Sequence, residues 1–182
     1  TCTLGGPAAG ATPAAALPAP LPEAELAALF ADPEVEEVLP LTPLQDGLVV
    51  HSLTAGQGSD GHGDVYTVRI GLDLGGDVDA GRLRSALDSV VSRHPVLRSG
   101  VAHEEVGRPV LVVRRRAAVP WREHDLRGRA DEVDAVLRAE TGEPFDLMSA
   151  PLLRAALLRL DDGYRLVVTC HRCVLRSQTM ST

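Results

Sequence analysis

The stretch Tyr66-Thr-Val-Arg-Ile-Gly-Leu-Asp-Leu-Gly-Gly-Asp-Val-Asp-Ala-Gly-Arg-Leu-Arg-Ser-Ala-Leu-Asp-Ser-Val-Val-Ser-Arg-His-Pro95 changes its apolar period once, and that change decides the fold class. Tyr66, Val68, Ile70, Leu72 and Leu74 alternate with Thr67, Arg69, Gly71 and Asp73, the period of a half-buried strand. From Leu83 the spacing becomes three-four, through Ala86, Leu87, Val90 and Val91, which predicts a helix. Asp79 is placed to cap its start and Pro95 to end it.

Working outward, strands are expected at 96–101 and 109–115, the second losing apolar character at Arg114-Arg-Arg116. Val133, Val136 and Leu137 mark another helix, broken around Gly142 and Pro144. Leu152–Leu160 and Tyr164–Cys170 flank Asp161-Asp-Gly163, a hairpin turn signal. On the N-terminal side, residues 55–64 read as a loop. Pro40-Leu-Thr-Pro43 opens a helix with Thr42 as N-cap, Pro43 at the first helical position, and Leu44, Leu48 and Val49 as its apolar stripe. Leu26, Leu29 and Phe30 predict a short helix stopped by Pro33. Before it, residues 1–22 form an Ala/Pro/Gly tract with too few branched or aromatic side chains to offset ordering entropy, as in a linker. The element order predicts an α+β fold, with helices covering one side of a mixed sheet.

Composition excludes several function classes. The formal charge of -7 opposes non-specific binding to phosphate backbones, so no nucleic-acid partner is expected. Aromatics at 3% leave little for a base-stacking platform. No apolar run reaches transmembrane length and no basic region opens a signal peptide, so no membrane partner is expected and a cytoplasmic setting is. Three cysteines do not make a disulfide framework. Cys170-x-x-Cys173 has no second pair, so buried thiols are expected there rather than a metal site. Every basic residue is Arg, which fits a GC-rich coding bias.

Three stretches carry more than fold. Leu41-Thr-Pro-Leu-Gln-Asp-Gly-Leu-Val-Val-His-Ser-Leu53 resembles the first core motif of nonribosomal peptide synthetase condensation domains. Ser92-Arg-His-Pro-Val-Leu-Arg-Ser-Gly-Val101 resembles the second. Cys170-His-Arg-Cys-Val-Leu-Arg-Ser-Gln-Thr-Met180 lies where the third, His-His-x-x-x-Asp-Gly, belongs. Phe145-Asp-Leu followed by Pro151-Leu-Leu-Arg154 is also similar.

The resemblance implies a chloramphenicol-acetyltransferase-like N-terminal lobe over 35–182, with residues 1–34 as an interdomain linker carrying the short helix. It implies a second lobe across an active-site tunnel, a lobe expected to be missing from a chain that begins at Thr1 and stops at Thr182. The implied partners are peptidyl carrier proteins, whose phosphopantetheine arms bring two thioesters together, and neighbouring synthetase domains. No cofactor is expected to bind the chain directly. Gln45, Arg93, His94 and Arg98 fall on motif positions. For Arg93 and Arg98, a phosphopantetheine phosphate and local carboxylates are the alternatives, with ion pairing the default.

In the third motif His171 aligns with the first His, and Arg172 takes the place of the second, the residue assigned to orienting or deprotonating the acceptor amine. A guanidinium stays protonated at any ordinary pH and has no acceptor atom, so it cannot take that proton. Arg176 stands for the structural Asp and Ser177 for the Gly. The expectation is a lobe inactive by itself. A non-catalytic docking module, of the kind that carries His-Arg and recruits tailoring oxygenases, is the alternative, as is a truncated, degenerate product. Without the resemblance, His171 reads as a hydrogen-bonded histidine at a strand end.

Overall fold

The computed structural model describes residues 21–55, 66–104 and 106–175. Its strands form two sheets. The smaller is antiparallel, in the order β1 (Val35–Pro40), β4 (Val110–Arg114), β3 (Ser99–Ala102). The larger runs β2 (Thr67–Leu74), β7 (Gly163–His171), β6 (Leu153–Leu160), β5 (Trp121–Asp125), and is mixed because β5 and β6 are parallel. Four helices accompany them among the described residues: α1 (Glu23–Phe30), α2 (Pro43–Ala55), α3 (Ala80–Arg93) and α4 (Val133–Gly142).

The α+β class is as expected, but helices cover both faces of the large sheet. Ala155, Leu157, Leu166 and Cys170 face a core that contains Val49 of α2 and Val91 of α3. The next residues along the same strands, Ala156, Leu158 and Val167, face the other way and pack with Val133, Val136 and Leu137 of α4. Apolar residues on both faces are why β6 reads as a continuous run rather than an alternation.

The period change at the centre of the chain is realised. The Asp79 carboxylate accepts the Arg82 N–H at 2.9 Å, and α3 ends at Arg93 with His94 as C-cap. Several apolar assignments are corrected. Leu44, on the expected stripe of α2, is exposed, and so are Phe30 of α1 and Val90 of α3. Ile70 and Leu72 of β2 are also exposed, because β2 is an edge strand. Residues 95–98 form a 3-10 turn, not the start of a strand, since Pro95 fixes a helical φ at its first position. Of the loop expected at 55–64, residue 55 belongs to α2, and the remainder lies outside the described residues, as does the tract before Leu21. Helix α1 packs Leu29 against Val35, Val110 and Val112 of the small sheet.

Leu160 pairs with Gly163, so the β6–β7 hairpin turns on Asp161 and Asp162. Gly163 has φ +149°, and a Cβ there would lie 2.7 Å from the Leu74 carbonyl oxygen. Strain and backbone overlap together predict that Gly163→Ala destabilises by about 2 kcal/mol or more, read by urea denaturation. An unchanged midpoint would refute the assignment.

Candidate functional site

The third-motif residues sit where β7 ends against the start of β2 and the body of α2. Helix α2 begins with a reciprocal cap. The Thr42 hydroxyl accepts the Gln45 N–H at 3.3 Å, and Gln45 Oε1 accepts the Thr42 N–H at 3.0 Å. This is the Thr-x-x-Gln capping box, legible in Thr42-Pro-Leu-Gln45 although only the Thr42 half was expected. Gln45 then reaches outward, its Nε2 donating to the Cys173 carbonyl at 2.7 Å. One side chain thus fixes the start of α2 and locks it to the turn that follows β7.

His171 is the last residue of β7 and is fully buried. Its own N–H donates to the Leu152 carbonyl at 3.0 Å. The imidazole Nδ1 accepts the Cys173 N–H at 3.3 Å, and Nε2 lies 3.1 Å from the Ser52 hydroxyl of α2. A backbone N–H can only donate, so Nδ1 is the acceptor nitrogen and the ring proton of the neutral form is on Nε2, donated to Ser52. In this arrangement neither nitrogen presents a lone pair to a substrate. Tyr66 stands edge-on to His171 with ring centroids 6.4 Å apart, and His51 edge-on to Tyr66 at 5.3 Å.

Arg172 opens the 3-10 turn Arg172–Val174. Its N–H donates to the Tyr66 carbonyl at 2.8 Å, while the residue is exposed. The structure therefore gathers Gln45, His171 and Arg172 around one turn. Arg176 and Ser177 lie outside the described residues.

The second-motif residues have a different setting. Arg93 and His94 are exposed at the end of α3. Arg98 is buried, with Nη1 2.6 Å from Glu36 Oε2 and hydrogen-bonded to the carbonyls of Arg114 and Arg115. It joins β1, β4 and the 3-10 turn before β3. Arg98→Ala is expected to destabilise by about 2–3 kcal/mol, because two carbonyls and a carboxylate lose their cation, against less than about 0.5 kcal/mol for Arg93→Ala. Equal effects in chemical denaturation would contradict this difference. Arg114 pairs with Asp32, and Arg115 Nε donates to the Pro33 carbonyl at 3.0 Å, so both bind the chain segment preceding β1.

Sequence reasoning missed a second buried polar cluster. Arg154 of β6 donates through Nε and Nη2 to the Glu140 carbonyl, at 3.1 and 2.8 Å, and through Nη2 to the Glu143 carbonyl. It thereby caps the C-terminus of α4, where carbonyls lack helical partners. Its guanidinium lies 4.3 Å from the Phe145 ring centroid. Burial pulls its pKa below the ordinary arginine value, opposed by the charges of Glu143 and Glu140. The buried Glu140 carboxylate in turn meets His124 at 3.0 Å and Arg122 at 3.3 Å.

Cys170 and Cys173 are buried and not joined in a disulfide, and burial raises the pKa of the Cys170 thiol. Among the described residues, no group of three or more His, Cys, Asp or Glu is placed to hold a metal ion. Both thiols are expected to resist alkylation by iodoacetamide in the folded chain and to react on unfolding, as peptide mass spectrometry would show. A cavity of about 410 Å³ lies under α1, between Leu29, Val35, Val112, Arg114 and Met148. Gly100 and Val101, at the end of the second motif, line it, but Gln45, Arg93, His94, Arg98, His171 and Arg172 do not. No helix among the described residues is long and apolar enough to cross a membrane.

Comparison with known proteins identifies the family. The family model described as Condensation domain matches residues 35–175. Bacitracin synthase 3 of Bacillus licheniformis is 32% identical over 147 residues, which is 78% of this chain and 2% of that protein. The chain therefore spans a small fraction of the curated relatives it matches. Among solved structures, a four-domain nonribosomal peptide synthetase, holo-AB3403 bound to AMP and glycine, superposes with a TM-score of 0.65 at 18% identity, over 79% of this chain and 11% of that one. The complex of the X-domain and OxyB from teicoplanin biosynthesis superposes with a TM-score of 0.63 at 25% identity, over 75% and 28%. A model match over most of the described residues shows that the chain belongs to the condensation-domain family of the nonribosomal peptide synthetases.

Proposed function

We propose that this chain is the N-terminal lobe of a condensation domain that does not itself form the amide bond. In the family's reaction, an amine on one carrier-bound thioester attacks another, and the second histidine of the third motif handles the amine proton. The observation that carries our reading is Arg172 at that position, beside an imidazole whose two nitrogens are already engaged. A guanidinium can place a positive charge or donate hydrogen bonds but cannot act as the base. The motif positions then divide into His171 and Gln45, which hold the turn, and Arg172, which faces solvent. The partners in this reading are peptidyl carrier proteins with their phosphopantetheine arms and the adjoining synthetase domains, in the cytoplasm.

Amide formation between two loaded carrier proteins, followed by mass spectrometry, tests this. The expected result is no product above the protein-free control, and sustained turnover by this polypeptide would overturn it. A docking role is the second reading, favoured by His171-Arg172 together with the likeness to the X-domain seen with OxyB. A chain without turnover that binds a purified tailoring oxygenase saturably would support docking, and loss of that binding in Arg172→Ala would place the contact at this turn.

A further inference from the structure

We propose that the open edge of β2 pairs with β2 of a second copy of this chain, around a two-fold axis through Gly71. Among the described residues β2 has one strand neighbour, β7, so its other edge is unpaired. The Arg172 N–H donates to the Tyr66 carbonyl, which marks 66 and 172 as a hydrogen-bonded pair. The alternation of an antiparallel ladder then directs the peptide groups of Val68, Ile70, Leu72 and Leu74 to β7, and those of Thr67, Arg69, Gly71 and Asp73 to the open edge. Ile70 and Leu72 project from the sheet 46% and 49% exposed, although both lie on the face that elsewhere packs into the main core. Such an edge is a template for another strand.

The occupant is chosen by the order of residues. Antiparallel pairing centred on Gly71 sets Arg69 opposite Asp73 twice, and Ile70 opposite Leu72 twice. It also aligns outward-facing peptide groups only with outward-facing ones: 69 with 73, 71 with 71, 73 with 69. The two edges would exchange about six backbone hydrogen bonds. Asp73, already 2.6 Å from Arg165 of its own chain, would gain the other copy's Arg69, whose Nη1 donates to the Leu137 carbonyl and Thr141 hydroxyl of α4 at 3.2 and 3.3 Å and would have to share or exchange those bonds. A Cβ built at Gly71 meets nothing within 4 Å, so the sheet face beside the two-fold axis is uncrowded. Each half of the strand complements the other, as an isologous interface requires.

Sedimentation velocity over a concentration series tests this. The full chain is expected to show a reversible monomer–dimer equilibrium. Arg69→Asp and Asp73→Arg, each of which sets like charges opposite one another, should weaken it about tenfold. Mixing the two variants should restore the dimer, since one copy then carries two acidic and the other two basic residues at these positions. Circular dichroism confirms that each variant is folded. Ile70→Ser/Leu72→Ser, which alters only half-exposed side chains, should weaken the dimer without disturbing the fold. A chain that stays monomeric at every concentration, as when a strand from a longer polypeptide is the natural occupant, overturns the proposal. Association unaffected by the charge variants, or no recovery on mixing, overturns it equally.

Discussion

His171→Ala is expected to lower the unfolding free energy by about 3–5 kcal/mol, the largest effect of any single motif substitution. The imidazole is fully buried, so its removal leaves a void. It also removes the hydrogen bonds of the ring to the Cys173 N–H and the Ser52 hydroxyl. For a chain of this size the loss corresponds to a melting temperature lower by roughly 10 °C. Arg172→Ala, one residue away but exposed, should change stability by less than about 0.5 kcal/mol. The pair of measurements separates two adjacent motif positions, one holding the turn and the next facing solvent. Parity between the two variants in thermal denaturation would contradict this division.

Arg154→Met is the second large expectation, about 3 kcal/mol. Methionine keeps the apolar length of the stem but leaves the Glu140 and Glu143 carbonyls at the end of α4 without a donor. The contact of the guanidinium with Phe145 is lost as well. Arg154→Lys should recover only part of the loss, since one ammonium cannot supply the planar fork that reaches both carbonyls. The check is a urea melt of the three proteins, with full recovery by lysine as the adverse result. Amide exchange in α4 should quicken with Arg154→Met, because this helix end depends on a side chain from β6.

How much of this was legible depended on where each element sits. Helix α3 and strand β2 were readable because each has one apolar face, so the period shows directly in Leu83, Leu87 and Val91 or in Val68 and Leu74. The β6–β7 hairpin was readable from Asp161-Asp-Gly163. Strands β1 and β5 were not. Val35-Glu-Glu-Val-Leu-Pro40 and Trp121-Arg-Glu-His-Asp125 are edge strands, with charged side chains on much of their length. Charges guard such edges against mispairing and erase the alternation that would announce a strand. The Ile70 and Leu72 assignments failed for a related reason: periodicity tells which way a side chain points, not whether anything covers it.

The site divides in the same way. The motif positions His171 and Arg172 could be named from residue order. That His171 is spent on Ser52 and the Cys173 amide could not, because Ser52 lies 119 positions away along the chain. In the sequence Arg154 stands out only as the end of Pro151-Leu-Leu-Arg154. Its role rests on contacts with carbonyls, which every residue has and no pattern can single out.

The pairing of β2 with β7 has a consequence in time. Thr67 meets His171, so β2 leaves the ribosome about a hundred residues before its neighbour, an interval of roughly 5–20 s at ordinary rates of synthesis. The sheet cannot zip from its first strand. The β6–β7 hairpin must assemble beforehand and then capture a segment that has been waiting in solution, so the nascent chain needs shielding along that segment until translation has passed the last strand.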